Sequence, residues 1–384
     1  MDRRTFLLTS AAGLGSVTLT GSLWQTLGSP PETAGSAYGP LLSPDENGLR
    51  LPPGFRSRVV ARAGRNVGPT SYRWHPAPDG GACFPDGAGW IYVSNSEVDG
   101  TGGASAIRFA ADGSITSATR ILEGTDRNCS GGPTPWGTWL SCEEVPRGRV
   151  FETDPRGRRR PVELPGMGRF THEAAAVDPV REVVYLTEDE PDGCFYRFQP
   201  AAWPDLTAGR LEVLCLRDSD GSVTWRPVPA PSAVRRPTRH QVPGAQRFDG
   251  GEGAWYVAGG CWFTTKGDRR VWRYDADRSR LTVAADPTTA QMPRVDNLTA
   301  DSRGELFVAE DGPAMRICTL SPTGRVRPFL SIEGHPDSEV TGPAFTPDGT
   351  RLYFSSQRGS TGEDDDGTTY EVTGPFHGAR RGSG

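Results

Sequence analysis

Short apolar runs rich in β-branched and aromatic residues recur along the chain, each entered through a polar turn and closed by polar residues. Pro85-Asp86-Gly87 leads into WIYVSNSE, Thr134-Pro135-Trp136-Gly137 into TWLSCEE, and Asp178-Pro179 into EVVYLTEDE. Asp249-Gly250-Gly251 leads into GAWYVAGG, Asp301-Ser302-Arg303-Gly304 into ELFVAEDG, and Pro347-Asp348-Gly349 into RLYFSSQRG. Runs of this length between turn residues read as strands. The turns begin at 85, 134, 178, 249, 301 and 347, separated by 49, 44, 71, 52 and 46 residues. That spacing is close to the ~40–50 residues of a four-stranded propeller blade. Between the copies lie AIRFAADGSI, CFYRFQP, VWRYDADRSRLTV and CTLSPTGRVRPFL, which read as further hairpin strands. The pattern predicts an all-β chain, a single six-bladed β-propeller with its site at the central channel. The competing arrangement is a pair of β-sandwiches. The 71-residue interval holds Asp205 to Gln241 and reads as an insertion or a longer blade edge. No amphipathic helix longer than two turns is expected.

Composition agrees. Among 384 residues there are 49 Gly, 34 Pro and 5 His, with 35% hydrophobic and 23% charged positions, a turn-rich globular balance. The formal charge is −5 with both signs interspersed. No basic stripe with interleaved aromatics appears, which argues against a nucleic-acid partner. Residues 1–37 read as a leader, with Arg3-Arg4, Phe6-Leu7 and an uncharged stretch from Thr5 to Pro31. This resembles a twin-arginine export signal. Gly, Ser and Thr dilute the stretch, so no stable membrane span is expected, although a retained anchor is the alternative. A cut after Gly35-Ser36-Ala37 leaves 38–384 as the propeller domain.

In a propeller, equivalent strand ends surround one axis. The ends carry Asn95 and Glu97, Glu143 and Glu144, Glu188 and Asp189, Glu310 and Asp311, and Gln357. His172-Glu173, Glu252, Asp296-Asn297 and Glu339 join them. Taken singly, such an acidic pair is an ordinary solvated turn, and His172 a packed histidine. Many in register repel one another, and bound hard cations with several oxygen ligands relieve that repulsion. The seven cysteines are an odd number without a CxxC. Cys83, Cys194, Cys215, Cys261 and Cys318 sit in apolar strand contexts and are assigned to the core. Cys129, read as a loop residue in NCSGG, is the preferred thiolate ligand for a softer metal such as iron. Cys142 is the less favoured choice, because it points away from Glu143 along the strand. There is no GxSxG, HExxH, Walker loop or helix-opening GxGxxG.

HPAPDGGACFPDGAGWIYVSNSEV, NCSGGPTPWGTWLSCEE, GRFTHEAAAVDP, VYLTEDEPDGCFYRF, DNLTADSRGELFVAEDG and EVTGPAFTPDGTRLYFSSQ resemble the PhoX-type alkaline phosphatase family from about Leu51 to Arg358. The resemblance implies a monomeric, metal-dependent phosphomonoesterase with Ca2+ and Fe3+, exported folded by the twin-arginine machinery to the periplasm or beyond. It implies small phosphate-ester substrates. It places iron on Cys129, Glu173 and one of Glu310 and Asp311, which are then the catalytic group. Asn95, Glu97, Glu143, Glu144, Asp189, Asp296 and Glu339 become calcium ligands or their supports. Arg358 and Lys266 are the candidates for phosphate contact. One departure stands out: Gly251 occupies the position before Gly-Glu-Gly where the family leads one to expect Arg. The alternatives are a calcium-dependent propeller lactonase or other hydrolase, and a non-catalytic propeller that binds a ligand or partner.

Overall fold

The computed structural model describes residues 38–377, except 289–291, 293 and 322–323. The leader expected over 1–37 lies outside the described residues, apart from its boundary at 38. Each polar turn reverses the chain, so each run pairs with the next in antiparallel register, giving six meandering sheets. The strands that open them are Pro78–Asp86, Asn128–Pro133, His172–Asp178, Gly251–Val257, Leu298–Ala300 and Val340–Phe345. Each of these touches the opening strand of the sheet before and after it, and the last touches the first. The opening strands therefore form a closed ring around one axis, which makes the molecule a six-bladed propeller.

The ring is fastened by the N-terminal part of the described chain. Arg56–Arg62 adds the outer strand to the last blade by pairing with Thr368–Thr373, and Leu49–Arg50 pairs with Val326–Ile332 of the fifth blade. Alternate residues of facing blades fill the gaps between sheets. Between the second and third blades, for example, Leu140, Cys142, Val150, Leu186, Tyr196 and Phe198 are all buried together. Such apolar layers carry the stability of the fold, at roughly 25 cal/mol per Å² buried.

The long interval proves to be a wider third blade. It has five strands, ending with Asp205–Leu216 and Val223–Pro227. The fourth sequence repeat is out of phase with the others. GAWYV belongs to the opening strand Gly251–Val257, and Ala258-Gly259 is the hairpin turn that follows it. The second strand of that blade is Gly260–Thr265. Both halves of this hairpin are aromatic and end in small residues, so composition alone did not distinguish them. The only helices among the described residues are short 3-10 turns, such as Thr238–His240.

Candidate metal centre and active site

The opening strands of five blades bulge at one place. The register slips between Pro78 and Gly81, Asn128 and Gly131, His172 and Ala175, and Gly251 and Ala254. In the sixth blade the slip falls between Thr341 and Ala344, and the other four carry ligand-type side chains. A bulge adds an unpaired residue and re-aims its side chain. The ligand-type residues so placed are Asp79, Cys129, Glu173 and Glu252. Each is followed by a small residue, because neighbouring blades meet here. A Cβ on Gly80 would sit 2.5 Å from the Cα of Ser130, and one on Gly132 would sit 1.6 Å from the carbonyl oxygen of Ala175.

A second tier comes from the residue just beyond the second strand in five of the six blades. The amides of Glu97, Glu144, Asp189, Lys266 and Gln357 donate to the carbonyls of Ala77, Arg127, Thr171, Gly250 and Glu339 at 2.8–3.1 Å. From the two tiers Asp79, Cys129, Glu252, Glu97, Glu144 and Lys266, with Arg127, Asp296, Asp311, Glu339 and Arg358, line a cavity of about 240 Å³. Ligand atoms of Asp79, Glu97 and Cys129 lie within 4.8 Å of one another. The same holds for Cys129, Glu144 and Glu173, and for Glu173, Glu252 and Asp296. The three groups share Cys129 and Glu173, so they form one continuous cluster.

Burial and mutual repulsion dominate its electrostatics. Burial, then the neighbouring Glu97 and Glu339, holds the Asp79 carboxyl well above its ordinary range. Burial also raises Glu173 and Asp296, reinforced by the adjacent carboxylates. Glu252 moves the same way through burial and Asp189, against the opposing pull of Lys266. Glu144 is pushed up to about 10 by burial and the nearby Glu97. The Cys129 thiol is pushed well up by burial and by Asp79 and Glu173. Glu173 Oε2 is buried without a hydrogen-bond partner, a costly state for a carboxylate. A thiol and several carboxylates that repel one another, with an orphaned acceptor among them, fit a bound cation cluster with both hard and softer positions.

Cations at the rim answer part of this charge. Arg127 reaches Glu97 at 2.7 Å and Glu144 at 3.2 Å. Lys266 Nζ lies 2.8 Å from Asp189 and 2.6 Å from Glu252. Arg358 pairs with Glu339 at 2.6 Å.

Several expected ligands are turned elsewhere. The Asn95 carboxamide is fully buried and donates to the carbonyls of Cys129 and Ser130 at 3.1 and 2.8 Å. Its oxygen accepts from Trp139 Nε1 and Ser141 Oγ. Asn95 thus braces the bulge that carries Cys129 instead of offering an oxygen to the cavity. Glu143 is engaged by Arg149 and by the amide of Asp126, and Glu310 by Arg316 at 2.6 Å. Both lie one residue out of phase with their neighbours Glu144 and Asp311, which do line the cavity. Glu188 is likewise held by Arg239 and Tyr196. Cys129 lies in a strand, not a loop, and Cys142 is enclosed in the apolar layer between blades. All seven cysteines are unpaired. His172 packs against Phe170 with ring centroids 3.6 Å apart, and its Nε2 lies 3.2 Å from the Gly168 carbonyl oxygen. Asp79 and Arg127 were not singled out from the sequence. A repeated signature marks the first of them: Asp79-Gly80-Gly81, Cys129-Ser130-Gly131, Glu173-Ala174-Ala175 and Glu252-Gly253-Ala254 each set a ligand-type residue before two small ones.

A family model described as alkaline phosphatase PhoX matches residues 88–150 and 146–359. Among solved structures, PhoX of Pseudomonas fluorescens in complex with vanadate, a transition state analogue, is 17% identical with a TM-score of 0.73. The alignment covers 89% of this chain and 99% of that one. A Bacteroides thetaiotaomicron protein of unknown function is 10% identical with a TM-score of 0.54, over 83% of this chain and 76% of that chain. A gluconolactonase of Xanthomonas campestris is 13% identical with a TM-score of 0.50, over 88% and 98%. At these identities the likeness is one of fold. None of the curated proteins matches the chain in sequence. The family model, in contrast, spans most of the propeller, including every opening strand except Pro78–Asp86, and the chain therefore belongs to the alkaline phosphatase PhoX family.

Proposed function

We propose that this protein is a metal-dependent phosphomonoesterase that cleaves small phosphate esters outside the cytoplasm, with calcium and iron as its ions. The observation that carries the reading is the continuous cluster of Asp79, Glu97, Cys129, Glu144, Glu173, Glu252 and Asp296, all but Glu173 lining one polar cavity. In this reading Cys129, with Glu173 and Glu144 within reach, holds iron, since a thiolate suits a softer transition ion. The remaining carboxylates, together with Asp311 and Glu339, take calcium, which prefers oxygen. A calcium lactonase leaves the Cys129 thiol without a task, so the geometry favours the phosphatase.

The ions would supply Lewis acidity toward phosphate oxygens and an activated attacking oxygen. The chain's own residues do the rest. Asn95 fixes the bulge that presents Cys129, and Asn297 spans Glu173 and the Gly342 amide at 3.3 and 2.8 Å. Arg358 and Lys266 bring positive charge to the cavity and meet the phosphate as it enters. Lys266 reaches in from the strand opposite Gly251, so it supplies from the facing strand the cation that position 251 lacks. The bulged strands hold these groups in place before substrate arrives, which lowers the reorganisation needed in the transition state.

The leader-like residues 1–37 support export by the twin-arginine route, and no helix among the described residues is long and apolar enough to cross a membrane. The test is elemental analysis of the natively produced protein together with p-nitrophenyl phosphate turnover before and after chelation. Bound calcium and iron with chelator-sensitive turnover are expected. A metal-free protein, or calcium alone without turnover, overturns the reading.

A further inference from the structure

The rim cations are not equivalent. Arg127 and Arg358 pair with rim carboxylates, Glu97, Glu144 and Glu339. Lys266 alone among them reaches a residue of the inner tier, Glu252, while also holding Asp189 on the rim. We propose that the Lys266 ammonium takes the position of a divalent cation between Asp189 and Glu252, so that this chain builds one corner of its ion cluster from a side chain. The inference rests on the metal-centre reading above and sharpens it.

The local backbone is shaped for this contact. Gly250 has φ +70°, and a Cβ there would lie 2.9 Å from Lys266 Cγ and 3.1 Å from Asp189 Oδ1. Only glycine leaves room for the lysine stem to cross the turn and for Asp189 to meet its end. Glu252 also belongs to the group formed with Glu173 and Asp296, whose oxygens lie within 4.8 Å of one another. Lys266 therefore answers the charge on one flank of the inner tier as an ion pair, while Glu252 Oε1 and Glu173 Oε2 are both buried without a hydrogen-bond partner. An ammonium is a compact point charge with three donors. Lys266 Nζ lies within ion-pair distance of both Asp189 and Glu252. A lysine so placed keeps the corner at a fixed charge that chelators cannot remove.

The experiment compares the full-length parent with Lys266→Gln, Lys266→Arg and the double variant Lys266→Gln with Glu252→Gln. Each is purified with calcium chloride, analysed for bound metal, then stripped and titrated with calcium while thermal unfolding is followed. Lys266→Gln is expected to bind one more calcium ion per chain than the parent and to gain more stability from calcium. Lys266→Arg should keep the parent stoichiometry, and the double variant should lose the extra ion. An unchanged calcium count in Lys266→Gln overturns the proposal. So does a Lys266→Gln chain that stays unfolded in millimolar calcium, because calcium must be able to replace the ammonium. A parent without any bound metal overturns the metal-centre reading instead, and the difference between variant and parent still decides this one.

Discussion

Stripping the ions should make the stability of this protein fall as pH rises, and Glu144 sets the scale. Its carboxyl is pushed up to about 10 by burial first, then by Glu97, Asp189 and Glu252. Arg127 lies 3.2 Å away and pulls the other way, but it is shared with Glu97 and is 40% exposed, so burial wins. In the unfolded chain a glutamate titrates near 4.3. A group whose folded value is raised binds its proton more tightly when folded. Its contribution is therefore complete below the unfolded value and is lost as pH climbs toward the folded one. Each pH unit in that window costs about 1.4 kcal/mol. From pH 5 to pH 7, Glu144 alone accounts for about 3 kcal/mol, which is about 4 °C in Tm for a propeller of this length. Asp79, Glu173, Glu252 and Asp296 shift in the same direction, so the whole cluster should give a steeper fall.

The assay is urea or thermal unfolding of chelator-treated protein at pH 5, 6, 7 and 8, beside the metal-loaded form and Glu144→Gln. Loaded protein should show little pH dependence over this window, since bound cations compensate the ionised carboxylates. Glu144→Gln should flatten the curve of the stripped form, because the amide has no proton to lose. A stripped protein whose stability is constant or increases between pH 5 and pH 7 would refute the argument. It would mean that the rim cations, not protons, neutralise the cluster.

The remaining predictions separate the site from its scaffold. Cys129→Ala should lose iron while Cys142→Ala keeps it and is only modestly less stable, as read by elemental analysis; the reverse pattern would move the thiolate ligand. Glu310→Gln removes the charge of a carboxylate that is 1% exposed and paired with Arg316 and should lower the unfolding free energy, by about 3 kcal/mol at most. Its metal content per folded molecule should stay at the parent value, and iron loss there would return Glu310 to the ligand set. Gly132→Ala drives a Cβ into the Ala175 carbonyl and should destabilise the protein by about 3 kcal/mol or more, measured by chemical denaturation.

The strand ends were legible in the sequence because turns, apolar runs and acidic ends repeat with blade-length spacing. What alternation did not fix was phase. Glu143 and Glu144 are equivalent choices in a sequence, and so are Glu310 and Asp311. Glu143 closes its strand and Glu310 directly follows one; each of them meets an arginine, while the residue after it lines the cavity. Lys266 was picked out as a phosphate contact, but the out-of-phase fourth repeat hid that it occupies the same place after its strand as Glu144 and Asp189. Asp79 was missed, and its equivalence with Cys129, Glu173 and Glu252 was obscured, for a different reason. They sit in bulges, where the two-residue period that guides strand reading breaks. Small residues after the ligand are the physical trace of those bulges, because opening strands of adjacent blades approach too closely for a side chain. The order of causes thus runs from close approach at the axis, to small residues, to bulges, to inward-facing ligands. The crowding that closes the ring of blades is the same crowding that brings carboxylates and a thiol near enough to require a counter-ion.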